Sequence, residues 1–180
     1  MADIQQLLAE VAQTRQQLLN RLNDFTYEQG RFQPTPDSWS IAQHVEHMAI
    51  AEQGCVRAVW SAADALRRGK RRWTVDPRFQ GRAVEEIVAE TWQPGQQAPE
   101  YLIPQGSGPL SYWSAVLRAN QALVDQIPTA LDSLDPAEIV APHPISGPWD
   151  ALQWLAFLRY HLELHRDQLE AVTQATDFPR

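Results

Sequence analysis

Residues 149–176 read WDALQWLAFLRYHLELHRDQLEAVTQAT, and the order of apolar and charged positions in this stretch decides the fold. At about 100° per residue, Glu163, Asp167, Glu170 and Gln174 fall on one side of a helix, and Trp154, Leu158, His161, His165 and Val172 on the other. The stretch therefore predicts an amphipathic helix from Trp149 to about Thr176, with its charged face in water. One such helix cannot bury its own stripe, so its partners lie upstream. Residues 3–28 supply the first, with Ile4, Leu7, Leu8, Val11, Leu18, Leu22 and Phe25 at helical spacing. That helix ends at Gly30, and Pro34 and Pro36 keep the next stretch extended. Asp37 or Ser38 is then placed to cap a second helix running to about Arg68. Leu110, Trp113, Val116, Leu117, Leu123, Val124 and Ile127 mark a third, ended by Pro128 and followed by a proline-rich loop through His143.

These elements predict an all-α fold: one domain over residues 1–180, built as a four-helix bundle. Between Gly69 and Pro109 the periodicity is broken by prolines and glycines, apart from a short helix over Arg82–Trp92. This is a long crossover between helices 2 and 3. The short first connection predicts antiparallel helices 1 and 2, whereas the crossover is long enough to leave helix 3 parallel to helix 2.

Composition narrows the function classes. A formal charge of -7 and a pI near 5.2 argue against a phosphate-backbone surface, so no nucleic-acid partner is expected. No segment approaches the roughly 20 consecutive apolar residues of a membrane span, so no membrane partner is expected either. The N-terminus lacks the basic segment and apolar run of a secretory signal, and the single cysteine, Cys55, cannot form an internal disulfide; the expected location is cytoplasmic. Cys55 falls on the apolar side of helix 2 and reads as a small buried hydrophobe. Arg67, Arg68, Lys70, Arg71 and Arg72 form the only strong charge run and read as a solvated helix end.

The chemistry is concentrated in histidines. His161 and His165 lie four residues apart on the apolar face, with their rings one helical turn from each other. Two imidazoles buried side by side each need a partner, and a shared divalent cation satisfies both. Glu163 between them lies at the wrong offset and on the opposite face for a metalloprotease base. A third ligand must come from another helix, where the run QHVEHM offers His44 and His47. The polar face of helix 2 is marked by Glu46, Gln53, Arg57 and Asp64. Opposite it, His44 lies nearer the centre of the apolar face and His47 toward its flank, so periodicity leaves the choice open with a slight preference for His44. Glu52 leans inward and is the nearest candidate for a catalytic acid-base group, with an ion-pair role as its plainer reading. Trp92 and Tyr101 are candidates for a pocket mouth, and His143 reads as a turn residue, with reaching the site as a polar group its alternative.

Trp39-Ser40-Ile41-Ala42-Gln43 with His47 eight residues after the tryptophan, then HPISGPWDALQW over 143–154, then His161, His165 and Gln168, together resemble the DinB/YfiT-like family of metalloenzymes. The segment Ala98-Pro99-Glu100-Tyr101-Leu102-Ile103-Pro104 also resembles that family's lead-in to helix 3. The resemblance implies a four-helix bundle, often dimeric, holding a divalent ion on three histidines. Carried over by position these are His47, His161 and His165, with His44 the alternative third ligand and a departure from the pattern. Zinc and nickel are the expected ions. The resemblance further implies a small-molecule substrate and, as partners, a low-molecular-weight thiol such as bacillithiol or mycothiol and a second copy of the chain. Two activities follow from it, thiol S-transfer and metal-dependent hydrolysis, and a bundle that binds metal or a partner without catalysis is the third reading.

Overall fold

The computed structural model describes residues 4–180. In chain order the elements are α1 (Ile4–Leu22), α2 (Tyr27–Arg31), α3 (Ile41–Arg67), α4 (Val84–Thr91), α5 (Leu110–Ala119), α6 (Gln121–Val124), α7 (Ile127–Leu131), the strands β1 (Val140–His143) and β2 (Gly147–Asp150), and α8 (Ala151–Thr173). The fold is mostly helical. Helix α1 packs on α8, α8 on α3, α3 on α5 and α5 on α1, around one continuous apolar core. Val11 and Leu18, Val45 and Met48, Leu117, and Leu155 are among its fully buried side chains from those four helices. No helix among the described residues is long and apolar enough to cross a membrane.

The two helices that carry the histidines start on matching devices. Ser40 and Asp150 each accept from the amide three residues on, and Gln43 and Gln153 each reach back to the cap amide, forming capping boxes. The start of α3 therefore lies at Ser40, not at Asp37 or Ser38. Ser38 is instead used in a tight turn, where its hydroxyl accepts from Thr35 N–H and donates to Thr35 O, both at 2.8 Å. The first helix also stops earlier than its periodicity suggested. It ends at Leu22, and Thr26 caps a separate short helix, α2, because its own capping box with Gln29 outcompetes continuation. The sequence-predicted start at residue 3 lies outside the described residues.

The third predicted helix is broken into α5, α6 and α7. Asn120 sits at the first break, its side chain donating to Ala49 O and accepting from Gln53 Nε2, both at 2.9 Å, so the kink is tied to α3. Pro128 does not end a helix but begins α7, where a missing amide hydrogen has no cost. The predicted loop before α8 contains an antiparallel hairpin, with Val140 paired to Asp150 and His143 to Gly147. Pro142, Pro144 and Pro148 hide it from sequence reading, since proline is a poor strand residue; a two-stranded ribbon has only edges and tolerates it. Gly147, at φ +82°, supplies the left-handed residue that closes the turn. The crossover carries α4 and a 3-10 turn at Glu100–Leu102, and buries Phe79, Val84, Ile87 and Val88.

One charged pair lies inside this core. Arg15 on α1 and Glu52 on α3 approach to 2.7 Å, with 2% and 3% of their side chains exposed, and Arg15 also donates to Gln121. Burial pushes the Glu52 carboxyl up and the Arg15 charge opposes that shift. Removing one partner leaves a buried charge uncompensated. Arg15→Ala should therefore lower stability by about 3–5 kcal/mol in urea denaturation. The double replacement Arg15→Met with Glu52→Leu should recover most of that loss; a single variant within about 1 kcal/mol of the parent would contradict this account.

Candidate metal centre

Helices α3 and α8 cross where their histidines lie, and the pairing runs in opposite chain directions. His44 Nδ1 lies 3.2 Å from His165 Nδ1, and His47 Nε2 lies 3.2 Å from His161 Nε2. His165 Nε2 lies 3.1 Å from His161 Nε2, so three ring nitrogens converge. Donor atoms of His47, His161 and His165 all fall within 4.8 Å of one another, and this group could hold a metal ion. Tetrahedral zinc with bonds of 2.0–2.1 Å separates its nitrogen ligands by about 3.3 Å, and cis positions of an octahedron by about 3.0 Å. The observed spacings of 3.1 and 3.2 Å fall between these values.

The hydrogen bonds around the rings assign their lone pairs. His47 Nδ1 lies 2.8 Å from Leu102 O, and a carbonyl can only accept, so Nδ1 carries the proton and Nε2 presents a lone pair to the cluster. For His165 the partner is another ring nitrogen, His44 Nδ1, which can give or take the proton; the tautomer that frees His165 Nε2 for a metal is the one in which His165 Nδ1–H donates to His44 Nδ1. The structure thus brings His47, His161 and His165 together and places His44 behind His165. Trp39 packs over the group, with ring centres 5.0 Å from His47 and 5.3 Å from His44.

Sequence reading missed the residue that holds the Leu102 carbonyl in place. Glu46, which periodicity placed on the wet face of α3, is 2% exposed. Its carboxylate accepts from Gln105 N–H at 3.1 Å, Gly106 N–H at 3.0 Å and the Ser107 hydroxyl at 3.0 Å. Adjacent residues of α3 therefore grip one strap of the crossover, Glu46 at residues 105–107 and His47 at Leu102. No local pattern marks Glu46, because its burial depends entirely on where the crossover lies.

All five histidines of the chain are held below their ordinary value of 6.5. Burial is the main cause for each; neighbouring imidazoles lower His44, His161 and His165 further, while the Leu102 carbonyl partly offsets the shift of His47. His44 comes down to about 4 and His143 to about 3. The rings are therefore neutral near pH 7, the form that binds metals.

A cavity of about 690 Å³ reaches the cluster. Trp39, Trp92, Trp154, Phe157 and Leu102 wall it, and Tyr101, 72% exposed, stands at its edge. Gly54 also lines it, in the middle of α3, and a Cβ there would meet nothing within 4 Å. A glycine inside a helix costs roughly 1 kcal/mol relative to alanine, and here no packing neighbour requires it. Cys55 lines the cavity too, but burial, reinforced by the Glu52 charge, pushes its thiol far up, so it is not a thiolate. Glu52 faces Arg15 and does not line the cavity. The basic run lies outside it, with Arg67 donating to the carbonyls of Ala130 and Asp132 and Arg71 pairing with Glu138.

The DinB superfamily profile matches residues 10–169. No curated protein and no solved structure matches the chain.

Two predictions follow from the buried rings and the strap. Unfolded histidines take up protons below about pH 6.5 while the folded ones do not, so the unfolded state gains as pH falls. Stability of the metal-free protein should be full above pH 6.5 and decline toward pH 4–5, by about 1.4 kcal/mol per pH unit for each histidine that remains neutral in the fold. Urea midpoints that do not change between pH 7.5 and 5 would refute this. For the strap, Glu46→Ala should lower stability by about 2 kcal/mol and speed amide hydrogen exchange at Gln105 and Gly106; unchanged exchange there would remove Glu46 from this role.

Proposed function

This chain belongs to the DinB superfamily, and from that premise we propose that His47, His161 and His165 hold a divalent ion through their Nε2 atoms in a metal-dependent transferase using a low-molecular-weight thiol. The observation that carries the reading is the convergence of three neutral imidazole nitrogens in the lining of a cavity, with the far nitrogens of His47 and His165 already engaged. A three-histidine set leaves a coordination position open, the arrangement of catalytic rather than structural sites. When bound, the ion supplies Lewis acidity that lets a small thiol serve as its thiolate near neutral pH. The frame is a four-helix bundle, with α5 to α7 as its broken fourth member.

The chain's own residues favour transfer over hydrolysis. Hydrolysis calls for a group that moves protons to and from water and the leaving group. The carboxylates nearest in sequence to His47 are otherwise engaged, Glu46 by the crossover strap and Glu52 by Arg15. A thiol needs only to lose its proton. The new bond joins the thiol sulfur to an electrophilic carbon. In a substitution the leaving group departs with its electron pair and the thiol proton passes to solvent; in an addition the thiol proton ends on the substrate. Leu102, Trp92 and Phe157 exclude water from the reacting pair, and His44 orients His165.

Metal analysis of purified protein loaded with zinc or nickel should give one ion per chain. His47→Ala, His161→Ala and His165→Ala should each lose it, whereas His44→Ala should keep it with affinity reduced about 10–100-fold. If His44→Ala loses the ion and His47→Ala retains it, the ligand set is wrong. The loaded protein should consume an activated aryl halide or epoxide only when a cellular thiol is supplied, and turnover of an ester or amide without any thiol would establish the hydrolase instead.

A further inference from the structure

His143 is not one of the three converging imidazoles, yet it lines the same cavity and is itself only 5% exposed. Its ring is held on several sides. Trp149 stacks on it with ring centres 4.1 Å apart and planes 18° apart, and Trp92 lies nearly parallel at 6.1 Å. Phe157 meets it edge-on at 4.9 Å. The hairpin turn fixes its tautomer, because Nδ1 accepts from the backbone N–H groups of Ile145 at 3.3 Å and Ser146 at 3.2 Å. Two amide donors can be met only by a lone pair, so in the neutral ring the proton sits on Nε2. Among the described residues no group accepts from that Nε2–H, and it is not one of the polar atoms sealed away from any space. A fixed, unpartnered donor in the wall of a cavity is a group waiting for an acceptor.

We propose that His143 Nε2–H is the hydrogen-bond donor for a carbonyl oxygen on the electrophilic substrate, a planar, largely apolar molecule lying against Trp92, Trp154 and Phe157. Trp92, Trp154, Phe157 and Ile145 line the cavity together with His143, so a carbonyl on an aromatic or conjugated body is the substrate class that matches this donor and these rings. A neutral N–H donor polarises a carbonyl without surrendering its proton, and a preorganised one needs no rearrangement when charge develops on the oxygen. Burial holds His143 far below neutrality, so the ring stays in its donor form across the physiological range. This assignment deepens the proposed thiol transfer and rests on it for the substrate's place beside the three histidines.

The test uses the full chain loaded with zinc and, separately, free of metal. The probes are acetophenone and its hydrocarbon isostere α-methylstyrene, with binding read from tryptophan fluorescence and the carbonyl stretch read by infrared spectroscopy. The wild type should bind acetophenone about five-fold more tightly than α-methylstyrene and lower its carbonyl stretch, as one net hydrogen bond would. His143→Asn keeps an oxygen for the two turn amides but has no donor at the Nε2 position, so it should bind both probes equally and restore the stretch. His143→Gln keeps a donor near that position and should retain most of the preference. Nitrogen-15 spectra of the wild type should show His143 protonated on Nε2.

Failure to bind acetophenone, equal binding of the two probes by the wild type, an intact preference in His143→Asn, or a proton found on Nδ1 would each overturn the proposal. If His143→Asn does not fold, the wild-type preference and the tautomer still decide it. Loss of zinc binding by the wild type would instead sink the metal reading, and the metal-free measurements keep the two failures apart.

Discussion

Four imidazoles buried where α3 crosses α8 are the constraint on which the rest of this structure depends. Neutral rings can be buried only if each nitrogen is matched to a donor, an acceptor or an ion. The chain meets that demand from outside the two helices. Leu102 O comes from the crossover to meet His47, Trp39 from the segment before α3 packs over the rings, and within the group His44 pairs with His165. The crossover cannot be an idle connection, because it must return to the cluster with one carbonyl correctly aimed. Glu46 explains how it does so: a buried carboxylate bound to two amides and a hydroxyl anchors the strap three residues beyond Leu102.

The same need shapes the cavity. Small residues at Ala51, Gly54 and Ala58 leave space along α3 beyond His47, and aromatic residues from α8, the crossover and the hairpin close the other sides. The states of the imidazoles that line it are set by their neighbours. In the proposed site the three converging Nε2 atoms serve as bases toward a cation, whereas His143, tied down at Nδ1, serves as a donor to the cavity. Opposite roles for the same side-chain type arise because different partners hold the opposite nitrogen. Cys55 and Glu52, chemically eligible by type, are set aside by burial and by Arg15 respectively.

Much of this was legible in the chain itself. Stripes of apolar residues located the long helices, and the charged face of Glu163, Asp167 and Glu170 oriented α8 so that His161 and His165 pointed inward. The choice between His44 and His47 was not legible from periodicity, which mildly favoured His44. Both rings are buried in the structure, and what separates them is the orientation of their nitrogens: His47 Nε2 enters the cluster while His44 meets the far side of His165. A helical wheel records the direction of a side chain but not which ring nitrogen faces which neighbour.

The sequence by itself determined the mostly helical class, the inward pair on the last helix and the short set of residues from which a metal site could be drawn, because these follow from helical period and residue chemistry. Only the tertiary structure decided that Glu46 is buried, that Asn120 breaks the third helix, that a proline-rich stretch pairs as a hairpin, and that His143 offers a donor. Each of these depends on a partner from far along the chain or on a turn whose geometry the flanking packing sets. The inward pair is a property of one helix; what its nitrogens can do is a property of everything folded around it.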